Sequence, residues 1–281
     1  MKETLICVPS SGRECRQITL RNLRKFKLLH RTVVCVPAAQ ARRYVVELGE
    51  DLVVAVPDEV VGIAATRVWI LTKYAREEGA KRVLMIDDDM DFCYRPDVKQ
   101  PKLEIIEDRD RMLNMLGWLD RWMDDGFIHV GVSARQGNNN KYIGDNGEYG
   151  LHAYRDATRM MNMYQYDVEA LRKLPIEWGR LPVMEDFDLT LQLLRMGKPN
   201  RVFFEYCWNQ RDSGATGGCS KYRTAEMQEQ AARTLAQLHP GFVKLVEKES
   251  KSTSTSWKGM KKRVDVTVSW REAFKSAKVA S

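Results

Sequence analysis

Three short apolar runs near the start of the chain each stop at a proline, in CVPSSGR (7–13), CVPAAQARR (35–43) and AVPDEVVG (55–62). Proline cannot donate to a β ladder, so each marks the end of a strand. With a fourth run they give strands expected at Thr4–Val8, Val33–Val36, Leu52–Val56 and Arg82–Asp87. Short β-branched runs of this kind are the ones buried in parallel sheets. Helical spacing lies between and after them. Ala64, Val68, Leu71 and Ala75 recur until Gly79, and Met112, Met115, Leu119 and Trp122 precede a strand at Phe127–Val132. A helix near Asp186–Met196 runs into Gly197, a strand follows at Arg201–Tyr206, and Met227, Ala231 and Leu235 mark a helix from Thr224 to Leu238. This order predicts an α/β fold, an open, mostly parallel sheet with helices on both faces, whose ligands bind beyond the carboxyl ends of the strands.

The fourth run ends in an unusual way. In VLMIDDDMDF (83–92) four apolar residues lead directly into Asp87, Asp88, Asp89 and Asp91. Like charges at the end of a buried strand repel one another and raise each other's pKa, so a positive partner is expected. Alternation along a strand turns Asp87 and Asp89 the same way, toward a shared hard cation such as Mg²⁺ or Mn²⁺ that accepts oxygen ligands and bound phosphates. The competing reading is a capped turn, which does not need three consecutive acids.

At 281 residues and 44% hydrophobic, the chain has material for one large domain or a domain with an appendage. It has no apolar run of about 18 residues, and its N-terminus is too polar for a secretory leader, so a soluble cytoplasmic protein without a membrane partner is expected. Cys7, Cys15, Cys35, Cys93, Cys207 and Cys219 form no C-x-x-C pair and read as reduced thiols, with Cys7 and Cys35 in the core. The net charge of +7 sits at two ends. Residues 12–31 carry seven Lys/Arg against one Glu, and residues 244–281 carry ten against four acids. Such ends fit a polyanion, nucleic acid first, or are simply solvated faces. ESKSTSTSWKGMKKR (249–263) reads as a flexible linker or arm. The expected organisation is a domain over 1–245 and a basic, partly flexible extension over 246–281. RMMNMYQYDVEAL (159–171) could wall an acceptor pocket, although Met at such spacing is more often core.

IDDDMD resembles the DXD motif of GT-A glycosyltransferases, and it stands in their order with VPSSGR, GIAATRVWIL (62–71) and MEDFDLTLQLLRMG (184–197). More narrowly, EDFDLTLQLLRMGKPNRVFFEYCWNQRDSGATGGCSKYRT (185–224) followed by HPGFVKL (239–245) resembles the TET-associated glycosyltransferases of phages and of relatives of the base J pathway. The resemblance spans Thr4 to Leu245. It implies a GT-A-like fold that moves a glucose-like sugar from a nucleotide-sugar such as UDP-glucose, with Mn²⁺ or Mg²⁺, to a 5-hydroxymethylcytosine or 5-hydroxymethyluracil in DNA.

Carried to this sequence, the resemblance places Pro9, Ser11, Arg13 and Arg67 at the nucleotide and Asp88 at the sugar or ribose. Asp89 becomes a metal ligand, with Asp87 beside it and His239 as a later ligand, although a His before Pro is commonly a surface turn. Asp186 becomes the general base that a departing hydroxyl proton requires, with Glu185 and Asp188 near acceptor or sugar. An acidic first turn favoured by the helix dipole would explain those three without chemistry. In the Gly-rich loop, Ser213, Gly214, Thr216, Gly217, Gly218 and Ser220 offer backbone N–H groups to phosphate, flanked by Arg211, Lys221, Tyr222 and Arg223; a plain turn is the alternative. A protein or glycan acceptor and a silent binding module remain as other functions. A two-metal nuclease or polymerase would also cluster aspartates, but the strand order and the Gly-rich loop fit it poorly.

Overall fold

Side chains alternate along the leading strands, and the alternation builds two cores. On β1 (Leu5–Pro9) Ile6 and Val8 go to one face and Cys7 to the other; on β2 (Thr32–Pro37) Val34 and Val36 part from Cys35. After β3 (Val53–Val56), β4 (Arg82–Ile86) repeats the pattern, with Leu84 and Ile86 on the first face and Val83 and Met85 on the second. A strand that is apolar on both faces must be covered on both. These features come from a computed structural model, which describes residues 4–97, 99–138, 153–210, 223–249 and 262–277.

The first face is covered by α1 (Ile18–Lys25), α2 (Ala38–Leu48) and the helix Arg109–Asp124, which contribute Leu20, Leu23, Tyr44, Met112, Met115, Leu119 and Trp122. The second is covered by α3 (Gly62–Trp69), its continuation through a π-helical segment Ile70–Tyr74, and the helices Val168–Arg172 and Glu185–Arg195. The helix expected around Ala64–Ala75 thus forms, but with a π segment in its middle.

The sheet has ten strands and runs β3-β2-β1-β4-β9-β7-β10-β5-β6, with β8 paired to β10. The remaining members are β5 (Met90–Tyr94), β6 (Glu104–Ile105), β7 (His129–Ala134), β8 (Tyr154–Asp156), β9 (Met163–Asp167) and β10 (Arg201–Gln210). The half β3-β2-β1-β4 is parallel throughout, as is the pair β7–β10, while β9 and β5 enter antiparallel. The fold is therefore GT-A-like α/β. The chain leaves β1 for β2 and β3 on one side and returns to β4 on the other, so the carboxyl ends of β1 and β4 flank a topological switch point, where such sheets bind ligands.

RMMNMYQYDVEAL is core, as its methionines indicate, but through strand β9: Met160, Met163, Tyr164 and Tyr166 are buried. The described parts of the stretch beyond residue 245, expected as a basic, partly flexible extension, pack onto the domain. The expected boundary falls inside the strand Val243–Glu249, which pairs antiparallel with Lys262–Val268. Val243, Val266 and Ala273 of the helix Trp270–Ala277 join Leu191, Leu194, Ala231 and Leu235 in a third core. Burial of these apolar residues holds the C-terminal segment to the domain. The linker expectation at 250–261 and the loop carrying Ser213, Gly214, Gly217 and Gly218 lie outside the described residues. Among the described residues no helix is long and apolar enough to cross a membrane.

Candidate active site

Beyond Pro9, buried at the end of β1, the chain turns sharply, and α2 fixes the turn from beside it. Gln40 and Tyr44, one helical turn apart, face the same way. Gly12, in the left-handed region at φ 64°, donates its N–H to Gln40 Oε1 at 2.7 Å, while Gln40 Nε2 donates to Ser11 Oγ at 3.0 Å. The Tyr44 hydroxyl accepts from the Arg13 N–H at 2.9 Å and lies 2.8 Å from Ser10 Oγ. Gln17 closes the loop with bonds to Ser10 Oγ at 2.7 Å and to the Arg13 carbonyl at 3.0 Å.

The loop delivers Arg13 to the acidic turn. One guanidinium nitrogen donates to Asp88 Oδ1 at 2.6 Å and to Asp89 Oδ2 at 2.9 Å, while Ser10 Oγ donates to Asp88 Oδ2 and Gln210 Nε2 to Asp89 Oδ2 at 2.9 Å. Burial pushes the Asp88 carboxyl up to about 6 even though Arg13 and Ser10 pull it down. The turn backbone is braced by the start of α1: Thr19 N–H donates to the Asp88 carbonyl at 3.1 Å, and Met90 N–H donates to Thr19 Oγ1 at 2.9 Å.

Asp87 takes a separate partner. Strand β4 ends at Ile86, and beyond it two arginines divide the acids: Asp88 and Asp89 share Arg13, while Asp87 pairs with Arg67 and still feels the charge of Asp89. Arg67 lies on α3 just before its π segment, a helix irregularity common at functional sites. Its guanidinium bridges Asp87 Oδ1 and Glu185 Oε1 and sits 5.6 Å from the centre of the Tyr164 ring. The positive charge demanded by the aspartates is thus supplied by two arginines, one from each neighbouring motif. Burial raises the Asp87 carboxyl and Arg67 opposes it.

Glu185, Asp186 and Asp188 fill the first turn of the helix Glu185–Arg195, where the dipole favours carboxylates. Asp186 Oδ1 accepts from the Phe187 N–H at 3.0 Å. Burial, then the neighbouring Glu185, push its carboxyl up to about 7, against Arg67 and Arg159. It borders a small recess, open to solvent, which Tyr164, Trp178 and Leu71 also line.

Asp188 departs from its expected role near acceptor or sugar. Its four lone-pair positions are taken by Arg180 Nε at 3.0 Å and Arg180 Nη2, by Gln192 Nε2 at 3.1 Å, and by His239 Nε2 at 2.8 Å. Burial raises its carboxyl, but the bonds from His239 and Arg180 outweigh this and hold it below the usual range. His239 is corrected with it. The ring is fully buried, Nε2–H donates to Asp188, and Nδ1 accepts from Arg195 at 3.3 Å, which leaves no lone pair for a metal. His239→Ala therefore leaves a buried carboxylate short of one donor and should lower unfolding stability by about 1–3 kcal/mol, read from the urea midpoint, with divalent-cation binding unchanged.

Of the expected metal ligands, Asp87 and Asp89 remain. Asp89 Oδ1 is buried without a hydrogen-bond partner, which is costly unless something occupies it. Among the described residues no three His, Cys, Asp or Glu side chains group to hold a metal. An ion here fits only if phosphate and water complete its shell, as Mg²⁺ and Mn²⁺ allow. Ser10, Gln17, Thr19, Gln40, Tyr44, Gln210 and Arg180 escaped the sequence reading. Ser10 lies within the quoted loop, and the i, i+4 pair Gln40/Tyr44 on a polar helix carried a signal. Arg180 carried none.

Solved structures with a similar chain course include a mannose-1-phosphate geranyltransferase from Thermus thermophilus, at 13% identity and TM-score 0.44, covering 74% of this chain and 76% of that one. A putative nucleotide-diphospho-sugar transferase from Desulfovibrio desulfuricans aligns at 13% identity and TM-score 0.41 over 85% and 99% of the two chains. The Beta-glucosyl-HMC-alpha-glucosyl-transferases of Enterobacteria phages T2 and T6 are each 24% identical over 200 residues, 67% of this chain. The match spans 65% of the length of these relatives. The TET-Associated Glycosyltransferase family matches residues 4–218, which hold the loop after β1, Arg67, the aspartates after β4 and the acidic helix start, and the chain belongs to that family.

Proposed function

We propose that the protein moves a glucose-like sugar from a nucleotide-sugar, such as UDP-glucose, to the hydroxyl of a 5-hydroxymethylpyrimidine in DNA, in the cytoplasm of a cell or of a phage host. The observation that carries this reading is the Arg67 bridge. It joins the aspartates after β4, where a donor would lie, to the acidic start of the helix Glu185–Arg195, where an acceptor would lie.

In this reading the loop Pro9, Ser11 and Arg13, with Arg67, faces the nucleotide, and Asp87 and Asp89 hold Mg²⁺ or Mn²⁺. The bound ion supplies stabilisation of the negative charge on the departing diphosphate. Asp88 serves as the buried anchor of Arg13. Ser213, Gly214, Gly217 and Gly218 keep the phosphate-cradling role. Asp186 accepts the proton of the acceptor hydroxyl as its oxygen bonds to the anomeric carbon and the bond to the diphosphate breaks. A carboxyl poised near neutrality suits that task, since a substantial share of it is ionised at neutral pH while it stays basic enough to take a proton.

Asp89→Asn should lower transfer by about 10²–10³-fold, the usual loss when one preorganised electrostatic contact is removed, with the melting temperature retained. Undiminished transfer in a chelator would remove the metal from the account. A second reading concerns the acceptor, because the phage relatives' name describes an acceptor that already carries glucose. Incubation with hydroxymethylated and with glucosylated hydroxymethylated duplexes, followed by nucleoside mass spectrometry, separates the two: product on the first duplex alone favours the leading reading, and product on the second alone favours sugar-on-sugar transfer.

A further inference from the structure

The two basic ends differ in how their charge is partnered. In the C-terminal segment Lys248 pairs with Asp265 at 2.8 Å, Lys275 with Glu272 at 2.9 Å, and Lys262 with Glu247 at 3.7 Å. There the described cations are largely neutralised by their own neighbours. Residues 14–31 carry six Lys/Arg against one Glu. Ile18, Leu20 and Leu23 bury one side of α1, which turns Arg21, Arg24 and Lys25 outward, with Lys27 exposed just after the helix. Lys25 pairs with Glu107, while no ion pair engages Arg21, Arg24 or Lys27 among the described residues.

The same helix is fastened to the acidic turn. Thr19 in its first turn bonds the backbone of Asp87, Asp88 and Met90, and Asn22 donates to the Met90 carbonyl at 3.0 Å and to Asp91 Oδ1 at 3.1 Å. An eight-residue helix is about 12 Å long at 1.5 Å per residue. The major groove of B-form DNA, into which a 5-substituent projects, is also about 12 Å wide. Arg21 and Arg24 share this helix with Thr19 and Asn22, so they lie within one helix length, ~12 Å, of the residues that brace the acidic turn, a span comparable to the groove.

We propose that the exposed face of α1, through Arg21, Arg24 and Lys27, holds the phosphate backbone of duplex DNA that flanks the reacting nucleotide. This rests on the acceptor being DNA, as proposed above. The C-terminal segment serves the third core and contributes little to the contact.

The test is a salt titration of binding to a hydroxymethylated duplex, on the full chain, with three proteins: the unaltered one, R21Q/R24Q/K27Q, and K244Q/R271Q at exposed C-terminal positions. Each lost phosphate contact should flatten the slope of log affinity against log salt by about 0.9. The α1 variant is expected to lose affinity and about 2 to 3 units of slope, with donor hydrolysis and melting temperature unchanged, and the C-terminal variant to keep both affinity and slope. R21K/R24K, which keeps the charge, should restore the slope if the triple variant folds poorly. An unchanged slope in the α1 variant, or a loss confined to K244Q/R271Q, overturns the inference while leaving the DNA acceptor standing. Absence of DNA binding by the unaltered protein overturns the DNA acceptor itself, and a protein or glycan acceptor then takes its place.

Discussion

Asp186→Asn is expected to cut sugar transfer by about 10²–10⁴-fold, the range that a positioned general base supplies, with nucleotide-sugar affinity unchanged. The asymmetry follows from the role. A base acts on the acceptor hydroxyl as its proton leaves, so its loss removes an interaction made in the transition state and spares donor binding. The pH profile should carry the same signature. With the Asp186 carboxyl pushed up to about 7 by burial and Glu185, kcat/KM rises as pH climbs through 7 and levels above it. Stability runs the other way. The unfolded chain releases this proton near pH ~4 while the folded protein keeps it to about 7, so this group's contribution to stability falls as pH rises between the two. The asparagine variant has no such dependence, and it should gain on the unaltered protein across that window. Equal losses in donor affinity and in transfer would show that Asp186 acts on the donor side.

Arg67→Leu should be the most disruptive substitution at the site. It removes the cation shared by Asp87 and Glu185 and leaves both carboxylates with side chains at most 24% exposed. Breaking a buried pair by removing one partner costs about 3–5 kcal/mol, because the remaining charge stays buried without compensation. Protonation relieves that cost, so the deficit in the urea midpoint should be smaller at pH 5 than at pH 8. Arg67→Lys keeps one charge but cannot bridge two carboxylates with a planar fork; it should recover part of the stability and little of the transfer. A deficit independent of pH would mean that Arg67 acts through packing on Tyr164.

Much of this site was legible in the sequence because its parts are local. Proline stops and β-branched runs mark β1 to β4, and strand order then places the loops after β1 and β4 side by side. Arg13 reaches Asp88 and Asp89, and Arg67 joins Asp87 to Glu185, all from stretches that stand out in the sequence. What the sequence withheld is non-local. Period-two alternation suggests that Asp87 and Asp89 share a partner, but it does not tell that Arg67 takes the first and Arg13 the second, because those arginines come from other elements. His239 reads as a surface turn or a ligand, and only the third core, which gathers residues of the helices Ala225–Leu238 and Glu185–Arg195, brings it to Asp188. The segment after residue 245 reads as a partly flexible extension because its charges mask a few apolar residues, Val264, Val266 and Ala273, that join the third core.

If the Arg67 bridge marks the meeting point of a nucleotide-sugar and a hydroxymethylated base in DNA, the chemistry can be read directly on the nucleosides. The measurement is mass spectrometry of nucleosides released from hydroxymethylated and from unmodified duplexes, after incubation with mixed nucleotide-sugars and either the unaltered protein or Asp186→Asn. The expected result is a hexose on the hydroxymethylated nucleoside alone, made by the unaltered protein and lost in the variant. Sugar on the unmodified duplex, or none on any DNA while a protein or glycan acceptor is labelled, would contradict it.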